Sequence, residues 1–138
     1  MVQYLTGVAG PAGFGSGATA EQVATKYADS VQGKTVIVTG ATSGFGKETA
    51  RVLAAKGAHV YVCARTQAKG DAVVAEIKKE TPAAQLAVIE IDLESLESVR
   101  KAAAEFKKLK KPIDVLINNA GVMNSPDELR TKDGLEYQ

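Results

Sequence analysis

A glycine-rich turn between a strand pattern and a helix pattern constrains the fold of this chain more than any other feature. The turn reads Thr39-Gly40-Ala41-Thr42-Ser43-Gly44-Phe45-Gly46. It follows the β-branched run Thr35–Val38 and opens an amphipathic segment, Lys47–Lys56. Glycine lets the backbone approach an anion closely, and the free N–H groups at a helix N-terminus point toward it. The turn therefore predicts a site for a phosphate-bearing ligand.

Strand patterns alternate with helix patterns from this point on, and the alternation indicates the fold class. Strands that alternate with helices of about 10–15 residues are typical of α/β proteins with a parallel sheet. Right-handed crossovers give the strand order 3-2-1-4, so we predict a truncated, Rossmann-type doubly wound parallel sheet. The predicted strands are Thr35–Thr39, His59–Ala64, Leu86–Ile91 and Ile113–Asn118, and the predicted helices are about Phe45–Lys56, Gln67–Glu80 and Ser95–Leu109.

The first residues carry a different pattern. Residues 1–18 include a glycine-rich stretch, Gly7–Gly17, which predicts a flexible N-terminal arm. Residues 19–138 form the predicted partial Rossmann domain. The alternative for the arm is a segment that lies on a partner, anchored by Tyr4, Leu5 and Phe14. Because residues 1–20 carry no charged side chain, we expect no secretory signal or transit peptide.

Local patterns also predict how several helical segments begin, end or pack. A capping box at Thr19–Gln22 predicts a short helix that runs to about Ser30. The periodicity stops after Gly121, and a further helix start is expected near Leu135. The face of the Ser95–Leu109 helix that we expect to point inward comprises Leu96, Val99, Ala103, Phe106 and Leu109.

Composition excludes several functional classes. The 138 residues most simply form one domain, and the formal net charge of +1 gives no electrostatic case for nucleic acid or an anionic membrane. No apolar stretch reaches the roughly 20 residues that span a bilayer, so we expect no transmembrane segment. The single cysteine, Cys63, excludes an internal disulfide and fits a reducing compartment. His59 is the only histidine in the sequence, and because metal sites need several clustered ligands, we expect no metal site.

Polar residues follow the predicted strands on one rim of the sheet. Arg65 ends the second strand, 25 positions after Gly40, where dinucleotide folds place an acid for NAD or an arginine for the 2′-phosphate of NADP. The alternative is a solvated arginine at a strand end. Asp92 and Leu93 end the third strand, and Asn118–Gly121 ends the fourth. Because parallel strands bind ligands at their carboxyl ends, these residues are predicted to share one site.

The motifs TGATSGFG, AR, DL and NNAG, in this order, resemble the short-chain dehydrogenase/reductase family. The flanking segments GPAGFGSGATAEQV, ARVLAAKGAHV, DLESLESVRK and LINNAGVM resemble the branch that holds retinol dehydrogenases, WW-domain oxidoreductase and plant chloroplast-envelope relatives. The resemblance extends over about residues 10–138. It implies the N-terminal, NADP-binding half of an oxidoreductase.

The resemblance also implies roles for individual residues. Arg65 would select NADP, and Thr66 would add a hydroxyl contact to the 2′-phosphate. Asp92 and Leu93 would flank the adenine, and Asn118 would tie neighbouring strands together. Phe45 departs from the isoleucine or leucine usual in the family, but only its backbone N–H is needed. The remaining implied cofactor-binding residues are Gly40, Thr42, Ser43, Gly44, Phe45 and Gly46 around the pyrophosphate and Asn119, Ala120 and Gly121 against the ribose.

The family's catalysis implies a tyrosine with a lysine four residues later on a helix, together with a serine and an asparagine. Tyr61 is followed by Arg65, but both lie in a strand, where four residues span roughly 13 Å. Tyr4, Tyr27 and Tyr137 have no lysine at this spacing. The catalytic Ser-Tyr-Lys set is therefore absent from this sequence, and we do not expect this chain alone to turn over a substrate.

Two functional hypotheses remain open. The first is the NADP(H)-binding portion of an oxidoreductase that transfers hydride between NADP(H) and a carbonyl or alcohol, with retinoid or other lipophilic substrates implied by the branch. The second is a non-catalytic subunit of a larger assembly, derived from the same family. The fourth strand would have an open edge, and such an edge invites a protein partner.

Overall fold

A computed structural model describes residue 7, residues 9–123, residue 126 and residues 128–137. The predicted arm anchors Tyr4 and Leu5 lie outside these described residues. The helices are α1 (Ala20–Lys26), α2 (Ala28–Val31), α3 (Gly44–Ala55), α4 (Gln67–Glu80) and α5 (Leu96–Lys108), and the strands are β1 (Thr35–Val38), β2 (His59–Ala64), β3 (Gln85–Glu90) and β4 (Val115–Ile117).

The four strands form one parallel sheet in the order β3-β2-β1-β4, which confirms the predicted fold class and strand order. β1 lies at the centre, in register with β2 on one side and β4 on the other. Every residue of β1 is buried, as parallel strands covered on both faces require. The carboxyl ends of all four strands consequently meet at one rim.

One face of the sheet carries the larger part of the core. Valines of β1 and β2 pack there against α3 and α4. Gly70 lets α4 approach very closely, because a Cβ added there would lie 2.3 Å from Cγ1 of Val88 on β3. The buried residues of this cluster include Val38, Val60, Val62, Ala50, Ala54, Val73 and Ile77.

The opposite face is covered less completely. Ile37, Tyr61 and Cys63 pack against Phe106 of α5, whose ring meets that of Tyr61 edge-on at a centroid distance of 5.0 Å. Beyond this cluster, Leu116 on β4 is 53% exposed. Leu116 pairs in register with Ile37, so both side chains lie on this face of the sheet. The apolar surface beside β4 is therefore open in the described part of the chain.

The predicted inward face of α5 is only partly correct. Phe106 is buried and Val99 half-buried, but Leu96, Ala103 and Leu109 are exposed. The middle turns of the helix are the part that packs on the sheet, while Leu96 lies at its first residue and Leu109 at its C-cap. In the middle of the helix, Ala102 and Phe106 are the buried residues, so Ala102 rather than Ala103 faces the sheet.

The helix predictions near the two ends of the chain also need correction. The capping box at Thr19–Gln22 is present, but the backbone at Tyr27 leaves the helical region and divides the predicted helix into α1 and α2. The expected helix start near Leu135 is wrong. Instead, Arg130 and Glu136 form an antiparallel bridge around a tight turn.

Part of the predicted arm contacts α1 in this structure. The Phe14 ring lies 6.4 Å from that of Tyr27, and the Lys26 ammonium lies 5.1 Å from the Phe14 ring centroid. Lys26 also donates a hydrogen bond to the Ala12 carbonyl. The predicted boundary between the N-terminal arm and the partial Rossmann domain, after residue 18, stays a prediction.

Candidate nucleotide-binding cleft

A cleft of about 650 Å³ lies at the carboxyl ends of the strands. The β1–α3 turn, the end of β2 with the start of α4, and the loops after β3 and β4 line it, together with Thr131 and Tyr137. All the predicted cofactor-binding residues except Thr66 line this cleft. Four separate segments of the sequence that carry predicted residues therefore converge on one cavity.

The N-terminus of α3 opens into the cleft. Ser43 occupies the N-cap position, yet among the described residues its side chain makes no capping hydrogen bond. The first intrahelical bond is donated by the Lys47 N–H to the Ser43 carbonyl. The N–H groups of Gly44, Phe45 and Gly46 precede it, and such groups carry the positive end of the helix dipole. This end of the cleft can accept an anion.

The glycines of the turn permit a very close approach of two loops. Gly40 adopts φ +63°, and a Cβ there would lie 2.8 Å from the Ala120 Cα. A Cβ on Gly46 would lie 2.4 Å from Asn119 Nδ2 and 2.4 Å from the Gly40 carbonyl oxygen. Side chains at these positions would force the loops after β1 and β4 apart.

Asn119, rather than Asn118, forms the tie between the strands. Its Nδ2 donates to the Thr39 carbonyl at 3.0 Å and approaches that of Gly40 at 3.4 Å. The Ala120 N–H also donates to Thr39 Oγ1 at 3.0 Å. The implied tie by Asn118 is a misassignment by one position. The role implied for Asn119 beside the ribose is compatible with this contact and stays a prediction.

The basic side of the cleft lies at the start of α4. The Arg65 side chain is 66% exposed and its Nη1 lies 3.5 Å from Oε1 of Glu94. Thr66 is the N-cap of α4, and its hydroxyl oxygen accepts from the Lys69 N–H at 3.4 Å. The Lys69 side chain belongs to the cleft lining with Arg65. Two cations therefore stand at this end, with Thr66 outside the cavity wall.

The acidic side of the cleft lies after β3. Asp92 Oδ2 accepts from the Lys132 ammonium at 2.5 Å, and Asp92 Oδ1 accepts from the Glu94 N–H at 3.1 Å. Both contacts lower the pKa of the Asp92 carboxyl, and the hydrogen bond from Lys132 has the larger effect. The Tyr137 hydroxyl donates to Glu94 Oε1 at 2.6 Å, which raises the pKa of Tyr137. The segment around Lys132 and Tyr137 thus closes this wall.

Sequence reasoning missed several polar groups of the cleft, among them Lys69, Glu94 and Tyr137. Lys69 follows Arg65 by four residues in the first turn of α4, a spacing that could have indicated it. Glu94 follows Asp92 by two residues at the same strand end and could have been included. The sequence pattern raises Tyr137 only as a candidate catalytic tyrosine. No local pattern places it beside Glu94, because the contact depends on the turn that precedes it.

Within the described residues, no group of three or more histidine, cysteine, aspartate or glutamate side chains is arranged to hold a metal ion. None of the helices in this part of the chain combines the length and hydropathy that crossing a bilayer requires.

The sequence that forms this architecture matches a known protein family. The family model described as short chain dehydrogenase matches residues 34–136. This chain belongs to the short-chain dehydrogenase family. The match begins just before β1 and contains every strand of the sheet and every lining residue of the cleft except Tyr137.

Relatives within the short-chain dehydrogenase family share the sequence closely. The chain is 42% identical over 134 residues to the short-chain dehydrogenase TIC 32 B, chloroplastic, of Brassica napus, covering 97% of this chain and 41% of that protein. It is 45% identical over 104 residues to human retinol dehydrogenase 12, covering 75% of this chain and 33% of that protein. The chain thus spans about two fifths or less of the length of these relatives.

Solved structures of dehydrogenases and oxidoreductases share the fold. A metagenomic short-chain oxidoreductase in complex with NADP superimposes with a TM-score of 0.59 at 34% identity, covering 66% of this chain and 40% of that one. A putative gluconate dehydrogenase from Agrobacterium tumefaciens gives a TM-score of 0.62 at 27% identity, covering 75% and 41%.

Proposed function

We propose that this chain binds NADP(H) in the cleft and is the cofactor-binding portion of a short-chain oxidoreductase. The observation that carries the proposal is the distribution of charge along one cavity. The uncapped N-terminus of α3 lies at one wall and the Arg65 guanidinium at the rim beside α4. A dinucleotide with a pyrophosphate and a 2′-phosphate has anions that suit both positions.

The donor set fits the proposed cofactor. Three consecutive N–H groups, Gly44 to Gly46, suit the pyrophosphate, and a guanidinium suits the 2′-phosphate because it can bind two of its oxygens at once. Leu93 is half-exposed in the cleft wall and offers an apolar contact for an adenine ring. Because Lys132 binds the carboxylate of Asp92, the negative charge of this residue in the cleft is partly compensated.

The reaction class follows from membership of the family and from the names of its relatives. When bound, NADP(H) supplies the hydride acceptor or donor for alcohol and carbonyl chemistry. Human retinol dehydrogenase 12 is among the relatives, so we propose alcohols or aldehydes of lipophilic character, including retinoids, as the substrate class. Within the chain we assign cofactor binding to residues 19–138 and an accessory arm to residues 1–18.

The decisive experiment compares two cofactors on one variant. In Arg65→Ala, we expect the Kd for NADPH to rise at least about tenfold, because a charge-assisted hydrogen bond contributes roughly 1.5–3 kcal/mol. The Kd for NADH should change less than about twofold. Binding is followed by the fluorescence of the reduced nicotinamide or by calorimetry.

Arg100→Ala is the matched control, since Arg100 is exposed on α5 and is not a lining residue of the cleft. Equal losses of NADPH and NADH affinity in Arg65→Ala would refute the assignment of the 2′-phosphate. Failure of the wild-type chain to bind either nucleotide would refute the proposed function itself.

A second function is favoured by the open apolar surface beside β4. Val115, Leu116 and Ile113 are all exposed there. We propose as the alternative that a protein partner covers this edge and that the chain acts as a non-catalytic subunit. A purified chain that is folded, monomeric and stable without any partner in analytical ultracentrifugation would contradict this alternative.

A further inference from the structure

We propose that Glu94 is a specificity-determining residue that opposes the 2′-phosphate and so limits the preference for NADP(H) over NAD(H). The inference rests on the proposed function. Glu94 lines the same cleft as Arg65, and its Oε1 lies 3.5 Å from Arg65 Nη1. The cation assigned to the 2′-phosphate is therefore already paired with a carboxylate in this structure.

The two carboxylates at the end of β3 differ in how their charge is compensated. Asp92 has a cation of its own, because Lys132 binds Asp92 Oδ2 directly. Glu94 forms its ion pair with Arg65, and Lys132 also interacts with the Glu94 charge while binding Asp92. When Arg65 turns to a phosphate, Glu94 loses its ion pair and stands close to a second anion. Two like charges at this separation repel each other.

Contacts within the cleft wall hold Glu94 near Arg65. The Tyr137 hydroxyl donates to Glu94 Oε1 at 2.6 Å, and the Glu94 carbonyl accepts from the Lys132 N–H at 3.0 Å. Only 33% of the Glu94 side chain is exposed, against 66% of that of Arg65. Arg65 is therefore the more exposed partner, and an ion pair this exposed is weak enough to exchange for a phosphate.

The opposite role for Glu94 would be to orient Arg65 for phosphate binding. The two roles predict effects of opposite sign when the charge is removed. A positioning carboxylate would make Glu94→Gln bind NADPH more weakly, because Arg65 would lose its orientation. A competing carboxylate would make the same variant bind NADPH more tightly.

The test measures NADPH and NADH affinities of the chain and of Glu94→Gln. We expect the Kd for NADPH to fall roughly three- to tenfold at low salt, as removal of one screened like charge near the phosphate predicts. The Kd for NADH should stay within about twofold. The difference between the two proteins in NADPH affinity should shrink in about 0.5 M NaCl, because salt screens exposed charges.

Glu97→Gln is the matched control, since Glu97 is an exposed carboxylate in the first turn of α5 and is not a lining residue of the cleft. It removes the same net charge and should leave both Kd values unchanged. Glu94→Ala provides a second test if the glutamine retains the hydrogen bond of Tyr137, and urea unfolding verifies that each variant is folded.

Weaker NADPH binding by Glu94→Gln, equal changes for both nucleotides, or no change would overturn the role of Glu94. In those cases the Arg65→Ala result still decides the proposed function independently. Absence of nucleotide binding by the wild-type chain would overturn both.

Discussion

At the residue scale, Gly46 lies where the turn after β1 and the loop after β4 approach each other very closely. Replacing it with alanine places a Cβ 2.4 Å from both the Asn119 amide nitrogen and the Gly40 carbonyl oxygen. We expect Gly46→Ala to lower the free energy of unfolding by about 2 kcal/mol, as overpacking of a tight contact does. The loops after β1 and β4 must then separate, so NADPH and NADH affinities should fall together.

Urea unfolding and nucleotide titration measure these two effects. Gly17→Ala is the control, because no described atom lies within 4 Å of the added Cβ at Gly17. If Gly46→Ala kept wild-type stability and affinity, the tight contact with Asn119 would have no role in shaping the cleft.

Cys63 is a second residue with a measurable consequence. Burial raises the pKa of its thiol to about 11, against 9.0 for an unperturbed thiol. Because the thiolate is the reactive form, we expect labelling by a disulfide reagent at pH 8 to be about two orders of magnitude slower in the folded chain than in urea. The raised pKa stabilises the fold fully below pH 9.0, and this stability declines between pH 9.0 and about 11.

The labelling rate is read from the absorbance of the released thiol. The chain contains one cysteine, so the signal has a single source. Rapid labelling of the folded protein would contradict burial of Cys63 beneath α5.

At the element scale, ion pairs join α1 to α3. Arg51 lies 2.7 Å from Glu48 and 3.4 Å from Glu21, and Lys56 also binds Glu21. Arg51 lowers the pKa of Glu48, and Lys56 with Arg51 lowers that of Glu21. Carboxyl groups with lowered pKa values stabilise the folded state above their unfolded pKa, here 4.5, and this stability is lost as the pH falls below it.

We therefore expect Arg51→Met to destabilise the chain by about 1 kcal/mol at pH 7, since partly exposed ion pairs contribute little more. The difference from wild type should decline as the pH falls below 4.5, because Glu21 and Glu48 become protonated. Urea midpoints at pH 7 and at pH 3.5 measure it, with Arg100→Met as the control on α5. A difference that is independent of pH would attribute the role of Arg51 to packing of its aliphatic stem.

At the scale of the whole molecule, the two faces of the sheet are unequally covered. α3 and α4 pack on one face, whereas α5 alone covers part of the other. Apolar side chains beside β4 are consequently in contact with solvent, and such a surface favours association. We expect the mass of the chain in sedimentation to increase with concentration, and Leu116→Ser to reduce this increase with NADPH affinity unchanged.

Leu135→Ser is a control of equal exposure, because Leu135 is 54% exposed and Leu116 53%. Leu135 lies in the turn after Thr131, outside the four strands of the sheet. Equal effects of both substitutions would show that general surface hydropathy, rather than the uncovered sheet, controls association.

The sequence was sufficient to predict the order of the sheet and a set of cofactor-binding residues of which all but Thr66 line the cleft. The continuous burial of β1 and β2 produces apolar runs that can be recognised locally. Contacts between distant segments could not be predicted in this way. The pairing of Lys132 with Asp92 joins residues 40 positions apart in sequence, and it depends on a turn that no periodicity marks.

The same limit explains the remaining errors. The break at Tyr27 depends on how α1 meets its neighbours, and the exposed ends of α5 depend on the extent of the layer beneath it. Asn118 and Asn119 are chemically identical, so only the register of β4 against β1 decides which one reaches the Thr39 carbonyl.

The contacts of Asn119 and Ala120 with Thr39 and Gly40 have a consequence for the order of folding. These groups are about 80 residues apart in sequence, so the turn acquires its final shape only after the last strand has joined the sheet. A ligand that binds only the closed turn should then stabilise the pairing of β4 with the sheet. The population in which β4 is detached should decrease as the ligand concentration rises. Hydrogen exchange of the Ala120 amide, which donates to Thr39 Oγ1, should slow on adding NADPH. Exchange of the Val60 amide at the sheet centre should slow much less.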